Sequence, residues 1–518
     1  MPARAQEREF KFTPGPSFRA GDVFDRLPGL RTGEPSNRTL HATYYDTADL
    51  RLARTGASLR WRDDQGWMVK LPTTGSAGSG GNGGLLTRDE ITVDAEPDAT
   101  PGTPGTPPAA ALDLLYALAR SAPVEMVAKL VTVRNRVDLF DADDRKVAEM
   151  VDDEVSVLDG AHLLARFREV EVELTKHAGP DLGDEVVAAL RAAGAGRPDP
   201  VPKIVRALGP RAAEPPDLGE PESLDEASLP VDVLRAAIVR STRRLVAHDP
   251  GVRSGLDMED VHQARVATRR LRSDLRTFAA VVDHEWSDSL RNELQWLGAL
   301  LGGVRDADVL LERLERRLST LESVDEEAGQ RLLDGLHATR DAAREELLAE
   351  MRAPRYLALL DRMHDACHRV PGPLDAGDLG VEVTDVVLAP WRKLRKAADD
   401  LGAHSPDPEL HRVRILAKRC RYAAEAVAPA VGPDAARFAK QVAALQDVLG
   451  EHQDAVIAGQ WLRRHANDVA GDGAAAVAFV AGELAMLEQA AADASRELWP
   501  GAWRAARGKE LRRWMRPE

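Results

Sequence analysis

Glu7-Arg8-Glu9-Phe10-Lys11-Phe12 is the stretch that decides how the first part of the chain folds. A strand turns successive side chains to opposite faces. Glu7, Glu9 and Lys11 therefore share one face, and Phe10 and Phe12 share the other. The same alternation recurs downstream. Arg60 and Arg62 oppose Leu59 and Trp61, Lys70 opposes Val69 and Leu71, and Arg88 and Glu90 oppose Ile91 and Val93. Arg134 and Arg136 share a face, as do Asp152 and Glu154, while Glu169, Glu171 and Glu173 alternate with Val170, Val172 and Leu174.

For any single strand, an antiparallel sheet with one solvated face accounts for this. A solvated face, however, mixes Thr, Ser, Lys and Gln. The candidate strands near 7–12, 39–46, 57–63, 67–72, 86–94, 128–138, 146–157 and 166–174 carry almost only Arg, Lys, Glu and Asp at their alternating positions. The pattern predicts an eight-stranded antiparallel β tunnel, apolar outside against helices and charged inside. Buried charges persist only when paired or bound to ions, so such a tunnel implies ligands. Its carboxylates suit a hard cation, Mg²⁺ or Mn²⁺. Its Arg and Lys side chains suit phosphoryl oxygens.

Working outward, 518 residues allow two to four domains, each able to bury a core. Residues 1–206 read mostly as strands and 231–518 mostly as helices, an α+β multidomain plan. A linker rich in Pro and acidic residues spans 207–230. The glycine-rich run 75–84 lacks the Gly-Lys-Ser/Thr end of a phosphate-binding loop and reads as a flexible hairpin loop. Residues 101–108 form a Pro/Gly linker ahead of a short helix from Ala109 to Arg120. No run of eighteen apolar residues occurs, so no membrane partner is expected. Residues 1–8 lack the apolar core of a signal peptide, and the only cysteines, Cys367 and Cys420, fit a reducing cytoplasm. A net charge of −15 disfavours nucleic acid as a partner of the whole surface, so any polyanion site must be local. The sequence carries no signal for oligomeric state.

The C-terminal half repeats itself. His262-x-x-Arg265-x-x-x-Arg269-Arg270-x-Arg272 aligns with His411-x-x-Arg414-x-x-x-Lys418-Arg419-x-Arg421, and Leu301-Gly302 through Asp306-Ala307 aligns with Leu449-Gly450 through Asp454-Ala455. A duplicated all-α bundle follows. On a helix, residues three and four apart share a side, so His262, Arg265, Arg269, Arg272 and Arg276 form one stripe and His411, Arg414, Lys418 and Arg421 its copy. A solvated helix face is normally laced with Glu at four-residue offsets. Asp274 is the only acid between 262 and 276, and there is none between 411 and 421. Uncompensated like charges favour anion binding over a solvated face. Asp306 and Asp454 are read as helix caps or as partners orienting an arginine.

These motifs carry two resemblances. Glu7-x-Glu9-x-Lys11, the strand Ala57-Ser58-Leu59-Arg60-Trp61-Arg62 and the strand Glu169-Val-Glu171-Val-Glu173 resemble the CYTH, or triphosphate tunnel metalloenzyme, family over about the first 206 residues. The resemblance implies a divalent-metal hydrolase of triphosphate compounds, inorganic triphosphate foremost. It assigns Glu7, Glu9, Glu169 and Glu171 to the metal. Glu7, Glu9, Lys11 and Asp152 are its catalytic set, and Arg60, Arg62, Lys70, Arg88, Arg134, Arg136 and Lys203 grip phosphates, with Pro202 before the lysine departing from the family pattern. The same fold hosts adenylate cyclase and thiamine triphosphatase activities, for which Trp61 and Trp67 are the nearest stacking candidates. The second half resembles the CHAD, or conserved-histidine α-helical, family. That implies a basic channel for inorganic polyphosphate built on His262, Arg265, Arg269, Arg270, Arg272, His411, Arg414, Lys418, Arg419 and Arg421, and with it association with polyphosphate granules. A non-catalytic granule-targeting module is the remaining alternative.

Overall fold

The computed structural model describes residues 3–515 except 28, 74–83, 97–101, 322–325, 373–379, 403–404, 467 and 469–472. The expected hairpin loop at 75–84 lies, but for its last glycine, outside the described residues. The chain divides into two compact units, Met1–Asp217 and Leu218–Glu518.

The first unit is built on strands β1 (Ala3–Phe12), β2 (Arg31–Thr32), β3 (Ser36–Asp46), β4 (Ser58–Arg62), β5 (Gly66–Pro72), β6 (Leu85–Val93), β7 (Glu125–Phe140), β8 (Lys146–Asp159) and β9 (His162–Leu174). Their order is β2-β7-β3-β4-β5-β6-β1-β9-β8, and β8 pairs back onto β7. Eight strands thus close an antiparallel barrel, and two-residue β2 continues β3's edge along β7. Register places opposite charges directly across from one another: Glu7 faces Arg88, Lys11 faces Glu171, and Asp153 lies between Arg134 and Glu169. Directly opposite residues share a face, so these pairs point into the barrel together.

The outer face is apolar. Phe10, Phe12, Met150, Val170 and Val172 pack against Val186, Ala189 and Leu190 of the helix Leu182–Ala192. Leu59, Trp61, Trp67, Val69 and Ile91 pack under Ala111, Leu114 and Leu115. The helix expected from Ala109 to Arg120 is two short ones, Ala109–Leu114 and Tyr116–Ala119, separated at Leu115. Charge does not fill the whole interior. One end is apolar, where Ala42, Tyr44, Ala128, Leu130, Val155 and Val157 meet Ile204 and Val205 of the helix Lys203–Leu208. That helix is a stopper in the barrel.

The second unit contains α1 (Pro230–Ser254), α2 (Met258–Thr277), α3 (His284–Leu318), α4 (Glu326–Arg352), α5 (Pro354–His368), α6 (Asp385–Asp399), α7 (Asp407–Val431), α8 (Pro433–His465) and α9 (Ala474–Ala506). The two basic motifs lie on α2 and α7, and the two Leu-Gly motifs lie on α3 and α8, as a duplication requires. Helix α9 is long enough to cross a membrane and has an 18-residue window of mean hydropathy 1.3. Glu483 and Glu488 interrupt its apolar run, so the sequence offers no unbroken apolar stretch of that length. One face of it packs into the core, while Phe479 and Met486 on the same helix are exposed. Val477, Val480, Ala481 and Leu484 join the cluster formed with α3, α4 and α8. Glu488 is fully buried and ion-paired to Arg313 and Arg317.

Phe12 is wholly buried on the barrel's outer face. Phe12→Ala should lower the stability of the barrel by about 3–5 kcal/mol in chemical denaturation. A loss below about 1 kcal/mol would mean that this face is not a packed core.

Candidate active site and polyanion cleft

Inside the barrel, a cavity of about 490 Å³ is lined by Glu7, Glu9, Lys11, Arg60, Arg62, Lys70, Arg88, Arg134, Arg136, Glu171 and Lys203. Strand alternation delivers each of them except Lys203, which the stopper helix supplies as its first residue. The side chains neutralise one another. Glu7 accepts from Lys70 Nζ at 2.7 Å and Arg88 Nε at 3.0 Å, and Glu9 accepts from Arg88 Nη2 at 2.6 Å. Lys11 pairs with Glu171 and, at 3.2 Å, with Glu9. Arg134 holds Asp153 through two hydrogen bonds of 2.9 and 2.6 Å. Burial alone would raise Glu7, but Lys70, Arg88 and Lys11 overcome it and hold the carboxyl far below its ordinary value. Burial likewise opposes charge on Lys11, yet Glu171, Glu9 and Glu169 keep its ammonium firmly protonated.

One assignment moves by a single residue. Asp152 points to the outer face, where Arg168 grips it through Nε at 2.8 Å and Nη2 at 2.6 Å. Its neighbour Asp153 is the acid inside. Oxygens of Asp153, Glu169 and Glu171 lie within 4.8 Å of one another. All three acids are buried or nearly so, and neither Glu169 oxygen accepts a hydrogen bond. Burial raises the Glu169 carboxyl despite Lys203 and Lys11. Three hard oxygen donors, with Glu169 held only by ion pairs to Lys203 and Arg206, suit a divalent cation. Glu7 and Glu9 are both held by Arg88, and Glu9 shares Lys11 with Glu171 of the trio. Two residues further along β9, Glu173 carries no ion pair among the described residues, and burial together with Glu7 and Glu90 pushes it up to about 7.

Trp61 and Trp67 are not at the site; both lie in the outer core. The aromatic on the cavity is Tyr44, which alternation along β3 would have revealed. Arg38, Gln65 and Glu149 also line it and were not anticipated. Arg136 stands at a more open position, paired with Asp138 and Glu149 at 3.0 Å each.

The helical unit holds a second cavity, a cleft of about 540 Å³. It brings together His262, Arg265 and Arg269 of α2 with His411, Arg414 and Lys418 of α7. Arg265 is held by Asp306 at 2.6 Å, and Asp454 faces Arg414. Both acids sit in mid-helix, so they orient arginines and are not caps. Gly302 and Gly450 leave bare backbone against which Arg265 and Arg414 lie, with 3.7 and 3.6 Å to where a Cβ would be. Arg305, Arg313, Gln446 and Gln453 complete the lining and were missed, because they occupy α3 and α8, outside the duplicated stripe. Four of the expected contacts lie elsewhere. Arg270 and Arg421 pair with Glu425 and flank the buried Tyr422 ring. Arg272 and Arg419 gather with Arg276 and Arg291 beyond the cleft. The helix turns 100° per residue, so a stripe this long winds away from any single cavity.

Burial, and then Arg269, Arg414, Arg265 and Arg421, push Lys418 down to about 7. A bound polyanion would restore its charge, so above that pH the complex holds more protons than the free chain. Affinity for long-chain polyphosphate should therefore weaken as pH rises from about 6 to about 9. Lys418→Arg should flatten that dependence in binding titrations; an unchanged profile would remove Lys418 from the cleft's chemistry.

Comparison with known proteins agrees with this division. The CYTH domain model matches residues 5–204 and the CHAD domain model residues 236–463. "Uncharacterized protein Rv2226" of Mycobacterium tuberculosis (strain ATCC 25618 / H37Rv) is 31% identical over 537 residues, covering 97% of this chain and 96% of its own. Among solved structures, PptA from Streptomyces chartreusis is 25% identical with a TM-score of 0.45, covering 54% of this chain and 100% of its own. The CHAD domain from the plant Ricinus communis is 28% identical with a TM-score of 0.45, covering 55% and 96%. The chain belongs to the family of proteins that join a CYTH domain to a CHAD domain.

Proposed function

We propose that the barrel is a metal-dependent hydrolase of triphosphate compounds, with inorganic triphosphate as its foremost substrate, and that the helical unit binds inorganic polyphosphate. The observation that carries the first part is the acidic trio Asp153–Glu169–Glu171, of which Glu171 lines the cavity while Asp153 and Glu169 are buried beside it, ion-paired with the lining residues Lys11, Arg134 and Lys203. A divalent cation, Mg²⁺ or Mn²⁺, held by the trio would supply positive charge to the phosphoryl oxygens. Arg60, Arg62, Lys70 and Arg88 would bind the phosphates along the cavity, orient the chain for in-line attack by water and offset the developing negative charge. Arg60 is well suited, since its Nε is buried without a partner. Nucleotide or thiamine substrates fit less well, because a base or thiazolium needs an aromatic face and Tyr44 is the one aromatic residue on the described lining.

Purified chain with Mg²⁺ or Mn²⁺ should release orthophosphate from inorganic triphosphate faster than it releases pyrophosphate from ATP. Arg60→Ala and Glu171→Gln should each lower kcat/KM by about 10²–10³. Absence of turnover with either metal would leave a binding module only. For the helical unit, replacing Arg269 and Arg414 together should weaken polyphosphate binding. The same change should reduce the slope of log affinity against log salt by about 0.7 per lost phosphate contact. An unaltered slope would place polyphosphate elsewhere.

A further inference from the structure

We propose that Lys203 fills the cation position of the acidic trio in the ligand-free chain and passes to phosphate when a divalent cation enters, so that cation and triphosphate bind as a coupled pair. This rests on the reading of the barrel given above.

The geometry is that of a tethered counter-ion. Lys203 Nζ lies 2.5 Å from Asp153, 3.0 Å from Glu169 and 3.8 Å from Glu171, contacting every member of the trio. The other two acids have second partners, Arg134 on Asp153 and Lys11 on Glu171. Glu169 has little else: Arg206 Nε approaches only to 3.7 Å, and neither carboxylate oxygen takes a hydrogen bond. Removing the ammonium without replacement would leave a fully buried carboxylate that must take up a proton or gain another cation. In the ligand-free chain Lys203 fills that position.

It cannot be filled by both lysine and a bound cation. The trio's oxygens lie within 4.8 Å of one another, and an ammonium and a divalent ion inside that span repel each other. Lysine is suited to leaving, being a compact charge on a flexible four-carbon stem. The backbone need not follow it. Pro202 fixes the entry to the helix, and Ile204 and Val205 anchor it in the apolar end of the barrel. Once displaced, the ammonium remains inside the lined cavity and needs an anion. Triphosphate provides one, and bound triphosphate in turn draws Lys203 off the trio. Each ligand thus lowers the cost of binding the other, and the coupling is reciprocal.

The test uses the full chain and measures Mn²⁺ binding by electron paramagnetic resonance, with and without non-hydrolysable imidotriphosphate. Wild type should bind Mn²⁺ at least about 10-fold more tightly when the analogue is present. K203M should bind Mn²⁺ alone about 10-fold more tightly than wild type, with the coupling reduced towards unity. K203R keeps the charge and should resemble wild type in its weak binding of Mn²⁺ alone, which separates loss of the plug from general damage to the barrel. The proposal is overturned if K203M binds Mn²⁺ no tighter than wild type, if it keeps the full coupling, or if K203R binds as tightly as K203M. A wild-type chain that binds neither Mn²⁺ nor analogue overturns the reading of the barrel itself. One that binds both, with no effect of Lys203, overturns this inference alone.

Discussion

Opposite charges forced together out of water are the constraint on which the barrel depends. Glu7, Glu9, Lys11, Arg88, Asp153 and Glu169 are each less than a tenth exposed. Each would be intolerable alone. Antiparallel register resolves this by setting cation across from anion, Glu7 against Arg88 and Lys11 against Glu171, before any ligand arrives. Removing one member of such a pair costs more than the pair contributes, because the survivor is left buried and uncompensated. The network therefore fixes strand register as firmly as the apolar outer face does. It is also poised for exchange, since the groups that neutralise one another are the two kinds a metal–phosphate complex would engage.

The helical unit uses charge differently. Its cleft concentrates cations with few acids, and it does so by duplication: Arg265 and Arg414 lie in equivalent places over Gly302 and Gly450. The symmetry breaks one turn further on. Arg269 is clamped by the Tyr422 hydroxyl, which accepts from Nε at 3.1 Å and Nη2 at 2.8 Å. Its counterpart is Lys418, crowded by guanidinium groups and titrating near neutrality. At this pair of equivalent positions a fixed charge faces one that responds to pH.

Much of this was legible in the residues, and the exceptions have physical causes. Alternation was unambiguous along β4, which carries charge on one parity only, and over the last residues of β1 and β9, where Glu9 and Lys11 alternate with Phe10 and Phe12, and Glu169, Glu171 and Glu173 with Val170, Val172 and Leu174. In β8 it was not: Asp152, Asp153 and Glu154 place acids on both parities, and only pairing with Arg134 and Glu169 selects Asp153. The apolar end of the barrel went unseen because Val155 and Val157 continue the inward parity of charged positions without charge of their own. On the helices, the motif located the cleft but overextended it. Arg265 and Arg269 reach the cavity, whereas Arg270 and Arg272 turn to Glu425 and Arg291. Sequence spacing fixes a stripe, but which part of it meets a partner depends on how the helices cross.

The stopper formed by Ile204 and Val205 makes the barrel a blind alley. A linear molecule longer than the cavity would enter by one mouth and reach the acidic trio only with its tip, leaving its middle outside. If the barrel hydrolyses such a molecule as proposed, cutting would start from an end, and the fragments would leave by the way the parent came in.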